Sequence, residues 1–87
     1  MDFRLKVFYS VATNLSFTKA SHELFISQPA ISKHIRELEQ RFETPLFERN
    51  GNKIQLTRAG ELLLSHAQSL LAAYRQLNFE MNLLTNH

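Results

Sequence analysis

The chain has 87 residues, of which 44% are hydrophobic and 21% charged, a composition typical of one folded domain with a modest core. It contains no cysteine, which excludes disulfides, thiolate metal sites and cysteine nucleophiles. The formal net charge is only +2, so the composition permits a nucleic-acid partner without requiring one.

The sequence also argues against membrane, secreted and enzymatic roles. No apolar run approaches the roughly 20 residues of a membrane span, and MDFRLKVFYS lacks the layout of a signal peptide, so we expect a cytoplasmic protein. The four histidines share no metal-ligand spacing. Asp2 is the only aspartate that could orient a serine–histidine pair, and two glycines make no phosphate-binding loop. We therefore expect no catalytic residues, no metal site and no cofactor.

Hydrophobic spacing predicts a first helix from about Asp2 to Asn14, with Asp2 as its N-cap. The residues predicted to face inward are Leu5, Val7, Phe8, Val11, Ala12 and Leu15.

A short second helix follows and ends at about Phe25. Either Ser16 or Thr18 can cap it, since both carry a side-chain oxygen for an unpaired backbone N–H. Ala20 and Leu24 form its inner face, and the small Ala20 would let the next helix cross closely.

The third predicted helix starts in ISQPAISKHI and ends near Glu43, because Pro45 disfavours helical geometry at the residue before it. Ser27 can cap it, and Pro29 suits the first turn. Its predicted buried stripe consists of Ile31, Ile35, Leu38 and Phe42. Gln28, Ser32 and Lys33 lie off that stripe near the N-terminal end, and an end with such side chains suits a DNA major groove.

A β-hairpin, or wing, is predicted over about residues 46–56. Asn50-Gly51 is a strong turn signal, and Ile54 and Leu56 alternate with Gln55 as in a half-exposed strand. We expect the loop of this hairpin to carry Arg49 and Lys53.

A long last helix is predicted from the cap Thr57 to about Thr85. Apolar residues recur along it at strict four–three spacing, as in a coiled coil: Leu63, Ala67, Leu70, Tyr74, Leu77, Met81 and Leu84. A helix of about 28 residues spans roughly 42 Å, more than so small a core can cover. We therefore expect this stripe to pair with a second copy of the chain as a homodimer.

The segments FTKASHELFISQPAISKHIRELE, LFER and LTRAG, in this order and spacing, resemble the N-terminal DNA-binding domain of LysR-type transcriptional regulators. The resemblance covers essentially the whole chain. It implies a mostly α fold: a winged helix-turn-helix domain over residues 1–57, with the helix-turn-helix at about 18–37, and a linker helix over 58–87 that pairs antiparallel with another subunit's. The family's effector-binding domain has no counterpart here, so we expect part of a longer regulator, which would meet a small-molecule effector only through that other domain and could form higher oligomers.

The resemblance also implies roles for single residues. Gln28, Pro29, Ser32 and Lys33 would face bases, whereas Thr18, Ser27 and the wing, with Arg49 and Lys53, would approach the DNA backbone.

Four positions depart from the family's usual pattern. Glu43 stands where a glycine commonly ends the third helix, which is the DNA-recognition helix of the family, and Ser21 replaces a frequent alanine. Lys33 replaces a common arginine and so lacks the fork that reads guanine bidentately. Asn52 occupies a wing position that often carries arginine.

Several basic residues have two open interpretations. Arg49 either contacts phosphate or pairs with Glu48 or a glutamate of the third helix. Arg36 and Arg41 are expected to be solvated or paired within their helix, through Gln40 and Glu37. Arg58 could reach phosphate, and His34 is expected to be exposed to solvent.

The sequence thus predicts sequence-specific binding of an interrupted inverted repeat in double-stranded DNA by a homodimer. The alternative is a helical adaptor that uses the same fold for protein–protein contact without DNA.

Overall fold

Three short helices, a two-stranded hairpin and one long helix follow one another along the chain. The computed structural model describes residues 3–85. Their elements are α1 (Phe3–Asn14), α2 (Phe17–Leu24), α3 (Gln28–Phe42), β1 (Phe47–Asn50), β2 (Lys53–Leu56) and α4 (Arg58–Thr85). The mostly α fold with a three-helix core, a wing and a long last helix is therefore confirmed. The predicted cap Asp2 lies outside the described residues.

The core lies where α1, α2, α3 and the start of α4 meet. Its buried apolar residues are Leu5, Val7, Phe8, Val11, Ala12, Ala20, Ile31, Ile35, Leu38, Leu46 and Ala67. Two residues predicted to be inward are not: Leu15 is 50% and Phe42 47% exposed. Leu15 follows the end of α1 and has a φ of 48°, so it leaves the helical spacing that defined the stripe. Phe42 is the last residue of α3 and borders a surface groove beside Leu63 and Leu70 of α4.

Side-chain caps start the helices of the helix-turn-helix. Ser16, rather than Thr18, caps α2, because its Oγ accepts a hydrogen bond from the backbone N of Lys19 at 3.0 Å. Ser27 caps α3 in the same way, with the backbone N of Ala30 at 3.2 Å, as predicted.

The wing is a tight antiparallel hairpin. Phe47 pairs with Leu56 and Asn50 with Lys53, so the turn consists of residues 51 and 52 alone. Gly51 has a φ of 67°. The first central position of a type II′ turn requires a positive φ, which glycine adopts without strain. The expectation that the loop carries Arg49 and Lys53 is wrong: both lie in the strands, because a two-residue turn leaves no room for them.

The last helix begins against the wing. As predicted, the Oγ1 of Thr57 accepts a hydrogen bond from the backbone N of Gly60 at 3.0 Å, and it donates to the carbonyl of Pro45 at 2.7 Å. Beyond this start the helix crosses α1 and then extends away from the core, with residues 79–85 all exposed. The molecule measures 53 × 25 × 19 Å as a result. Within residues 3–85, no helix combines the length and apolar content needed to cross a membrane.

Candidate nucleic-acid interface

The N-terminal end of α3 presents a polar face to solvent. Gln28, Pro29 and Lys33 are exposed and Ser32 is half-buried. The opposite side of the helix holds Ile31, which is completely buried in the core. Because the apolar side of the helix packs in the core, the polar side faces solvent, as insertion into a groove requires.

Two further residues at helix starts lie open to solvent. Thr18 is the second residue of α2, and Ser27 precedes α3; both are exposed. The side-chain oxygen of Ser27 is used by its own helix as a cap, yet the residue stays accessible at the helix N-terminus, an end that favours anions.

Arg49 of the wing contacts an aromatic ring rather than a carboxylate. Its Cζ lies 5.4 Å from the centroid of the Phe17 ring. The two kinds of carboxylate considered as partners are engaged elsewhere. Glu48 accepts a hydrogen bond from Gln55 Nε2 at 3.0 Å, and Glu39 of α3 accepts one from the backbone N of Leu46 at 2.8 Å.

A cleft separates α3 from the wing. Its polar lining includes Ser32, Arg36 and Glu39 from α3 and Arg49 from β1. Arg36 is exposed, as expected, and it also brings a second guanidinium to the cleft that Arg49 borders. The spacing held a signal, since Gln28, Ser32 and Arg36 recur every fourth residue and so share one side of the helix.

The structure separates the other basic and histidine residues. Lys53 is exposed at the start of β2, and Arg58 is exposed in the first turn of α4. His34 was expected to be exposed to solvent, but its side chain is only 28% accessible. Its ring meets the ring of Phe3 edge-on, with 5.5 Å between the centroids.

Arg41 is exposed, which is one of its two expected states, and the carboxylate of Glu37 contacts two other residues. Glu37 Oε1 lies 3.8 Å from Arg4 Nη1 of α1 and 3.7 Å from His34 Nδ1, one turn earlier in α3. Since α1 and α3 pack against each other, Glu37 contacts a cation of α1 as well as a neighbour in its own helix.

The apolar stripe of α4 divides between the chain's own core and solvent. Ala67 is completely buried, and Leu63 and Tyr74 are half-buried. The other members of the stripe are 44–71% exposed: Leu70, Leu77, Met81 and Leu84. The prediction that the whole stripe faces a second copy is therefore too broad, because the middle of α4 packs against the chain's own core and crosses α1.

Comparison with known proteins agrees with this geometry. The family model described as "Bacterial regulatory helix-turn-helix protein, lysR family" matches residues 3–61. A "Probable RuBisCO transcriptional regulator" of Nostoc sp. is 41% identical over 69 residues, which cover 79% of this chain and 20% of that protein. The "HTH-type transcriptional regulator CbbR" of Rhodospirillum rubrum is 40% identical over 81 residues, 93% of this chain and 27% of its own. The chain thus spans about a fifth to a quarter of these relatives.

A solved structure covers the chain from end to end. It is the "Crystal Structure of BenM_DBD/catB site 1 DNA Complex", with a TM-score of 0.90, 31% identity, and coverage of 100% of this chain and 98% of that one. The family match spans α1 to the first turn of α4, including every residue assigned above to the polar face and the wing. The chain therefore belongs to the LysR family of bacterial regulatory helix-turn-helix proteins.

Proposed function

We propose that this chain is a sequence-specific DNA-binding domain of a transcription regulator and that α3 enters the major groove. The observation that carries the proposal is the exposed polar end of α3, flanked across the cleft by the cationic wing residue Arg49. A helix anchored on its apolar side, with short polar side chains at its free end, fits the width of that groove. The similar BenM domain was solved bound to DNA, which supports the same partner here.

In this proposal the exposed residues divide into base-reading and backbone-contacting groups. Gln28 would hydrogen-bond a base, most naturally adenine, and Ser32 either base type. Pro29 would offer apolar contact to a thymine methyl, and Lys33 a single positive charge. The phosphate contacts would come from Thr18, Ser27, Arg49 and Lys53.

The binding unit would be a homodimer held by α4. Its exposed apolar residues near the C-terminal end lie beyond the reach of the chain's own core, and pairing with a second copy would remove them from water. Two copies of α3 would then enter successive major grooves of an interrupted inverted repeat, about 34 Å or a multiple apart.

The wider setting follows from the same proposal. Residues 1–57 would form the DNA-binding unit and residues 58–87 the dimerisation helix of a longer cytoplasmic regulator. A small-molecule effector, and any higher oligomer, would involve that longer protein rather than this part of it.

Two binding measurements test the proposal. Selection of bound sequences from a random DNA pool should return an interrupted inverted repeat. A dimer making about 6–10 phosphate contacts should lose roughly 10³- to 10⁵-fold in affinity between 50 and 200 mM salt. Absence of a gel shift on random DNA at micromolar protein and low salt would reject DNA binding, since non-specific Kd values near 10⁻⁴ to 10⁻⁶ M at physiological salt become much lower when salt is removed. That result would favour the adaptor interpretation.

A further inference from the structure

We propose that Phe17 is a positioning residue for DNA binding: its ring holds the guanidinium of Arg49 at the mouth of the cleft, oriented for a phosphate. The inference rests on the proposed function and adds a residue whose side chain need not touch DNA itself.

A chain of three aromatic rings connects Arg49 to the core. Phe8, completely buried on α1, lies 5.4 Å from the ring of Phe47 at the start of the wing. Phe47 meets the ring of Phe17 edge-on at 5.9 Å, and the Cζ of Arg49 lies 5.4 Å from the centroid of Phe17. Phe17 is the first residue of α2, so the contact joins the wing to the helix-turn-helix.

Holding this arginine in place has a physical benefit. A free arginine samples many rotamers and loses that freedom when it binds a ligand, which weakens binding. An arginine already held on a ring loses less. The wing strand alone cannot supply this order, because Arg49 is exposed on a hairpin of four-residue strands.

An aromatic partner suits a phosphate-binding arginine better than a carboxylate would. A carboxylate would cancel the positive charge and occupy the N–H donors, whereas a ring face attracts the cation through its quadrupole and leaves those donors available. Since Glu39 and Glu48 both accept other hydrogen bonds, the ring of Phe17 is the contact that orients Arg49 here.

The first test is a double-mutant cycle on DNA affinity. Phe17→Leu should weaken binding roughly two- to fivefold, the range expected of an exposed cation–π contact, and should do so about equally on specific and random sequences. Arg49→Ala should also weaken all sequences about equally. In the Arg49→Ala background, Phe17→Leu should have no further effect. Phe17→Tyr keeps the ring and should bind like the wild type.

A shape-matched replacement separates the ring's charge distribution from its packing. Pentafluorophenylalanine placed at position 17 keeps the aromatic shape but removes the negative ring face, so it should weaken DNA binding like Phe17→Leu while the melting temperature stays near that of the wild type. This variant remains informative if Phe17→Leu unfolds the domain.

An NMR measurement on the free protein supplies a readout that needs no DNA. The side-chain protons of Arg49 should show ring-current shifts in the wild type and in Phe17→Tyr, and these should disappear in Phe17→Leu.

Three results would overturn the inference: equal losses from Phe17→Leu with and without Arg49, unshifted Arg49 protons in the wild type, or unchanged or tighter binding by the fluorinated variant. Complete failure of the wild type to bind any DNA would reject the proposed function, and the positioning role with it. The first and third results require binding, so the two failures are distinguishable.

Discussion

Three residues other than glycine end the first three helices in a left-handed conformation. Leu15, Phe25 and Glu43 have φ values of 48°, 57° and 56°. A side chain in this region costs roughly 1–2 kcal/mol, which is why glycine is common at such positions. At Glu43 the geometry still completes the helix end, because the backbone N of Thr44 donates to the carbonyl of Glu39 at 3.1 Å. The corner at which the family commonly has glycine is thus built in the ordinary way, with a strained glutamate in its place.

Glu43→Gly should therefore stabilise the domain. We expect a gain of up to about 1 kcal/mol in the free energy of unfolding, since relief of the left-handed strain exceeds the added freedom of the unfolded chain. Urea denaturation followed by circular dichroism measures it. Glu43→Ala keeps a Cβ and is the matched control; if both variants are equally stable, strain at this position is not the cause.

A second prediction concerns base reading by Gln28. Gln28→Ala should cost about 1–3 kcal/mol on the selected site and flatten the base preference, because the side-chain amide would no longer pair with a base edge. Gln40→Ala is the control, since Gln40 is exposed on the same helix but three turns farther from the polar end. A selection profile identical to that of the wild type would refute the assignment.

Between elements, the junction of the wing with α4 allows no side chain at Gly60. A Cβ there would collide with the carbonyl oxygen of Leu46 and lie 2.8 Å from Leu56 Cδ2. Leu46 itself is 1% exposed, so the backbone that would have to move is fixed by the core. The segments LFER and LTRAG, separate along the sequence, therefore form one packed junction that fixes where the wing stands relative to α4.

Gly60→Ala should destabilise the domain by about 1–3 kcal/mol, although alanine is otherwise the better helix residue. Thermal or urea unfolding measures the change. Ser69→Ala, on the exposed side of the same helix, should stay within about 0.5 kcal/mol of the wild type. Unchanged stability of Gly60→Ala would show that the junction is looser than the structure indicates.

The whole molecule is longer than its core requires. Its radius of gyration is 14.4 Å, whereas a compact domain of this length has about 12 Å. The difference comes from α4, whose last turns expose Leu77, Phe79, Met81, Leu83 and Leu84. Residues of this kind in a contiguous stretch are typical of an interface with another chain.

Leu70→Glu combined with Leu77→Glu should convert the proposed dimer to monomers, because each chain would bury two carboxylates against an apolar surface. Analytical ultracentrifugation measures the oligomeric state. Ser69→Glu with Gln76→Glu adds the same charge about 100° around the helix axis from the two leucines and should leave the proposed dimer intact. Persistence of dimers in the leucine double variant would refute pairing through this helix.

Local signals predicted most of the elements, since caps, turns and hydrophobic spacing act between residues close in sequence. Ser27 and Thr57 start their helices as predicted, and the heptad pattern gave the length of α4. Contacts between segments distant in sequence could not be predicted from caps, turns or hydrophobic spacing. The ring of Phe17 under Arg49, and the contact of Glu37 with Arg4, each depend on how two elements cross.

By itself the sequence determined the order of the elements, the polar end of α3 and the resemblance that led to the family. Only the tertiary structure decided which residues of the apolar stripe of α4 are buried in the core and which are exposed. Periodicity identifies the apolar face of a helix but not what packs against it. The same holds at the cleft, where the packing of the wing against α2 and α3 brings Arg36, Arg49 and Phe17 together from three separate elements.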